Sequence, residues 1–87
     1  MTDDLKKKAW IERAEETSTY HKNKLRVYQD WRIEDTAKEL GRSKGRVSED
    51  LMIVEWLKTH SKQIEKFRVM KDALIYIKEK KKELRLL

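Results

Sequence analysis

The chain contains no proline and only two glycines, and these two, Gly41 and Gly45, lie close together in a sequence of 87 residues. Backbone free to turn sharply is therefore confined to one short zone. On both sides of it Lys, Glu, Arg and Leu abound, all of them good helix formers. This distribution predicts an all-α fold with one sharp interruption near residue 41. The length suits a single domain covering residues 1–87. With no cysteine and 38% hydrophobic residues, neither a disulfide nor a Cys-ligated metal can staple the fold, and a modest apolar core must hold it. A chain this small often gains further stability from self-association or from its target.

Apolar spacing divides the sequence into about five helices. Residues 3–16 place Leu5, Ala9, Trp10 and Ala14 on a thin stripe, with Asp3 and Asp4 at the end where the helix dipole favours acids. The Thr17–Ser18–Thr19 patch either ends this helix or bends it. Residues 20–29 continue in helical register, with Tyr20, Lys24, Leu25 and Tyr28 sharing a face. Residues 33–40 form a short helix whose Ile33, Ala37 and Leu40 line one side. Gly41 ends it, and Ser43 is placed to cap the next helix, which runs to about Lys58 with Val47, Leu51 and Val54 on one face. Thr59–His60–Ser61 marks another boundary, followed by a short helix over 62–67 and a last one over 69–85 with a stripe of Met70, Leu74, Ile77 and Leu84.

The interruption has a physical reading. Two helices joined by a turn of three or four residues and crossing near a right angle form a helix-turn-helix. The crossing needs a small residue on the first helix, Ala37. The turn needs a residue that tolerates positive φ, Gly41. The second helix needs a branched apolar anchor, Val47, and Leu40 and Leu51 close the core. The motif then covers about residues 33–58, flanked by helices over 3–29 and 62–85.

At these residues the stretch TAKELGRSKGRVSEDL resembles known helix-turn-helix DNA-binding proteins, meeting their A-x3-G-x5-V/I pattern with Ala37, Gly41 and Val47. Within that group it is most similar to the helix-turn-helix of partition proteins of the ParB type, and Ala73, Leu74 and Ile77 resemble the element that follows in those proteins. The resemblance covers about residues 31–78, and the chain has no room for the nucleotide-binding domain of that family. Asp50 departs from the pattern: many such motifs carry an apolar residue there, which leaves packing of that turn to Leu51. The resemblance implies sequence-specific binding of double-stranded DNA, transcription regulation in a bacterium, phage or plasmid, and a homodimer. The alternatives are a protein-interaction adaptor that uses the fold without DNA, and an accessory protein of DNA packaging, replication or partition.

Charge agrees with a polyanionic partner. The chain carries net +6, itself a weak signal. Residues 33–60 are net −1, yet RSKGR at 42–46 is +3 without an acid. In a helix-turn-helix the first turns of the second helix enter the major groove. Here these are Ser43, Lys44, Gly45, Arg46, Ser48 and Glu49, preceded by Arg42 in the turn. Arg46 is placed to bond a guanine edge through both arms of its guanidinium. Arg42 suits a backbone phosphate, Ser43, Lys44 and Ser48 suit either, and Glu49 suits a cytosine amino group or water.

The remaining features read as surface or core. The C-terminal KEKKKELR is a solvated helix face or a contact to phosphate or RNA, and the lysines at 6–8 are surface. Trp31 and Trp56 are expected in the core, whereas Trp10 fits either a core or a base-stacking role. His21 and His60 lack the partners of a metal site, and no glycine-rich phosphate loop or catalytic constellation is present, so neither an enzyme, a cofactor nor a small-molecule substrate is expected. No run approaches a membrane span, and the first residues lack the apolar core of a signal peptide. These readings predict a cytoplasmic protein, nucleoid-associated if bacterial.

Overall fold

In the computed structural model, which describes residues 8–86, the chain forms four helices: α1 (Ala9–Val27), α2 (Ile33–Leu40), α3 (Lys44–Glu65) and α4 (Met70–Leu86). No strand occurs among the described residues. The fold is all-α as expected, with four helices rather than five. None of the four is long and apolar enough to cross a membrane. Asp3, Asp4 and Leu5, together with the lysines at 6 and 7, lie outside the described residues.

Two boundaries account for the helix count. Thr17, Ser18 and Thr19 lie inside α1, which runs through them unbroken. Thr17 and Ser18 are buried, so packing against the rest of the chain overrides their weak helix preference. The break expected at residues 59–61 is a kink and not an end. His60 leaves helical geometry (φ −130°, ψ 40°) and the helix then resumes to Glu65. The His60 ring lies tilted against Trp56 at the kink, with centroids 4.5 Å apart.

The apolar core lies at one end of the molecule. Trp10, Ile11 and Ala14 of α1, Ile53 and Ile64 of α3, and Met70, Ala73 and Ile77 of α4 form its buried cluster. Trp56, Leu57, Phe67, Leu74 and Tyr76 pack around it, partly buried. Trp10 thus belongs to the core, and its indole N–H donates to Arg68 O at 3.0 Å. Lys8 is no solvated cation either. Its ammonium donates to Glu65 O and to Phe67 O (2.7 Å), carbonyls at the end of α3 where a cation is favoured. These bonds fasten the start of α1 to the connection between α3 and α4. The stripe expected on α4 is buried only in its first half. Leu84 is 62% exposed, and Lys81 contacts Met52 Sδ at 3.2 Å.

Candidate functional site

At the other end, α2 and the start of α3 dock on α1 through a layer that is mostly polar. The inner face of α1 changes character midway, from Trp10, Ile11 and Ala14 to Thr17, Ser18 and His21. Opposite these lie Thr36 and Ala37 of α2 and Val47 and Asp50 of α3, all buried. The face of Tyr20, Lys24, Leu25 and Tyr28 points outward instead, with Leu25 and Tyr28 exposed. The ammonium of Lys24 sits 5.4–5.6 Å from the rings of Tyr20, Tyr28 and Trp31. Trp31 is only half-buried.

Two hydrogen-bonded groups hold the layer. Thr36 Oγ1 accepts from Trp31 Nε1 at 2.8 Å and lies 2.6 Å from His21 Nδ1. Burial pushes the His21 imidazole below its usual pKa, because a charged ring is poorly solvated there. In the second group, Asp50 Oδ2 accepts from Thr17 Oγ1 at 3.0 Å and from Arg42 Nη1 at 2.6 Å. Arg42 Nη1 also donates to Thr17 Oγ1 at 3.1 Å. The Asp50 side chain is fully buried, whereas that of Arg42 is 25% exposed. The apparent departure at Asp50 is therefore an internal anchor: it faces the core with Val47, and Leu51 is only half-buried. Asp50 Oδ1 has no partner, which makes the Oδ2 contacts the sole compensation for placing a carboxylate inside.

The connection between α2 and α3 consists of Gly41, Arg42 and Ser43. Gly41 is left-handed (φ 67°, ψ 37°). Its N–H donates to Lys38 O at 3.4 Å, and the Arg42 N–H donates to Ala37 O at 2.9 Å. This crossed pair closes a helix end when a left-handed residue follows. Ser43 caps α3, its Oγ accepting from the Arg46 N–H at 3.1 Å. At the start of α2 the Asp35 carboxylate accepts from the Arg32 N–H at 2.9 Å.

The residues singled out in the sequence do not fare alike. Ser43, Lys44, Gly45, Arg46 and Ser48 are exposed around the first turns of α3. Lys44 Nζ lies 3.7 Å from Glu34 Oε2, and Arg46 Nε lies 4.0 Å from Glu49 Oε1. Both pairs are long and solvent-exposed, so they leave their cations available. A Cβ at Gly45 would meet no atom within 4 Å, so this glycine leaves open space on the surface. Glu49 is half-buried beside Arg46. Arg42 differs from the others, because its guanidinium is already engaged inside the fold. A residue absent from the sequence reading joins them: Arg13 of α1 lines a concavity with Arg42, Ser43 and Arg46. Its only signal was its position one helical turn before Thr17, which is visible only once Thr17 is known to face inward. Comparison with known proteins finds no counterpart: no family model, no curated protein and no solved structure matches the chain.

Proposed function

We propose that the chain binds double-stranded DNA sequence-specifically, with α2 and α3 acting as a helix-turn-helix and the first turns of α3 entering the major groove. One observation carries this reading. The start of α3 presents Lys44, Gly45, Arg46 and Ser48 to solvent while Val47 and Asp50 anchor its opposite side. A helix end that is cationic, free of apolar bulk and rigidly seated has the chemistry that major-groove readout requires. Arg46 takes the role of base reader, and Ser43, Lys44, Ser48 and Glu49 contribute backbone or base contacts. Transcription regulation is the process such binding serves. The ParB-type likeness offers a second setting, an accessory role in partition, replication or packaging.

A different face supports a protein contact. Val69 and Ile75, each 47% exposed, lie between Phe67 and Tyr76 in the chain around the start of α4, and a homodimer through this region would present two copies of α3 to two half-sites. The adaptor reading would use the same face without DNA.

A salt series tests the central proposal. Affinity for random duplex should fall linearly in a log–log plot, with a slope of about −0.9 per phosphate neutralised. Undetectable binding at low salt would replace the DNA reading with the adaptor one.

A further inference from the structure

Among the described residues, no carboxylate pairs with Arg13. Its Nη2 reaches only Met70 Sδ, at 3.7 Å, and its buried Nε has no hydrogen-bond partner. A guanidinium carries five N–H donors, and thioether sulfur is a weak acceptor, so most of its bonding capacity is unused. Burying an unmet N–H is unfavourable, and such a group calls for an explanation.

Arg13, Arg42, Ser43 and Arg46 line an open concavity of about 330 Å³. Of its three guanidinium groups, Arg42 is neutralised by Asp50 at 2.6 Å, and Arg46 is only loosely met by Glu49 at 4.0 Å. Arg13 has no acidic partner among the described residues. The concavity therefore holds an excess of positive charge from forked donors, and it opens beside the first turn of α3, where backbone N–H groups and the helix dipole also favour an anion. Planar forked donors converging with a helix N-terminus match the tetrahedral oxygens of a phosphate.

We propose that Arg13, Arg46 and the N-terminus of α3 form a phosphate-binding pocket, with Arg42 held as its wall by Asp50. The ligand is a phosphate group, and on the DNA-binding reading, on which this identification of the source rests, it is a phosphodiester of the duplex backbone beside the groove that α3 enters. Arg13 then clamps α1 to the backbone and fixes the angle of α3, while Arg46 divides its donors between phosphate and base.

The test has two arms. In the first, the full chain is titrated with inorganic phosphate against chloride at matched ionic strength, and the Arg Nε–Hε and Lys44 and Gly45 amide NMR signals are followed. Saturable shifts at Arg13, Arg46 and those amides are expected. Arg13→Gln should weaken them by roughly tenfold, as loss of a charge-assisted hydrogen bond implies, and Arg13→Lys, which keeps the charge but not the fork, should fall between. The wild-type titration needs no variant, so a poorly folded Arg13→Gln leaves the test intact. No saturable shift at Arg13 in the wild-type chain overturns the pocket. In the second arm, the salt slope on random duplex is compared for wild type and Arg13→Gln. A slope reduced by about one unit identifies the phosphodiester as the ligand. An unchanged slope with phosphate binding lost assigns the pocket to free phosphate. Saturable phosphate binding without any duplex binding sinks the DNA reading and leaves the pocket standing. Full duplex binding with no phosphate shift does the reverse.

Discussion

Arg42→Ala should unfold the protein more than it weakens any ligand. The Asp50 side chain is fully buried, and Arg42 Nη1 approaches its Oδ2 to 2.6 Å. Deleting the guanidinium leaves Asp50 with the Thr17 hydroxyl as its remaining partner. Breaking a buried ion pair by removing one member costs about 3–5 kcal/mol. The quarter of Arg42 that is exposed admits water to the vacated space, which places the expectation near the lower end, at about 3 kcal/mol. A domain of this size has roughly 4–13 kcal/mol in total, so a large share of its stability would be lost. Each kcal/mol corresponds to about 4–8 °C in melting temperature here, so the midpoint should drop by more than about 10 °C. Circular dichroism at 222 nm during thermal and urea unfolding measures this. Removing both partners, as Arg42→Met with Asp50→Leu, should recover most of the loss, because a well-packed apolar pair replaces a buried ionic one at little cost. Thr17 can then turn its hydroxyl to a carbonyl of its own helix. A single Arg42→Ala variant within about 2 °C of wild type, where surface substitutions fall, would refute the anchoring role. Arg42 would then return to the phosphate contact that its place in the turn suggests.

Three further perturbations separate local from long-range effects. Arg46→Ala should leave stability nearly unchanged, since its pair with Glu49 is long and exposed. It should weaken binding to a selected site more than to random duplex, the loss on random duplex being its share of phosphate contact, and an equal loss on both would leave Arg46 a phosphate contact with no part in base reading. Gly41→Ala places a Cβ in open space but on a left-handed residue, so the expected loss is backbone strain alone, about 1–2 kcal/mol by urea unfolding. His21 is held below its usual pKa by burial. Its unfolded form takes up a proton near pH 6.5 while the folded form resists, so stability contributed by the neutral ring should be intact above that pH and decline as pH falls below it. His21→Gln should flatten that part of the pH profile.

Local chemistry made much of the fold legible in the sequence. Helix propensity, the left-handed Gly41 and the Ser43 cap depend on a residue and its immediate neighbours, and each stands where spacing placed it. Val47 was equally readable, because a branched apolar residue one turn into a helix has few places to go but inward. The direction of the polar positions was not readable. Thr17, Ser18, His21 and Asp50 resemble surface residues until their partners are known, and those partners lie far along the chain: Thr17 meets Asp50 33 residues away and Arg42 25 residues away. The same distance hid Arg13, whose neighbours in the concavity come from another helix and a turn. It also left open which way the face of Tyr20, Lys24, Leu25 and Tyr28 points, since an apolar stripe can face solvent when polar residues of the same helix are hydrogen-bonded inside, as Thr17 and His21 are. A single sequence fixes what the backbone does residue by residue. Burial of a polar group depends on whether a complementary group arrives from elsewhere, and only the packed helices decide that.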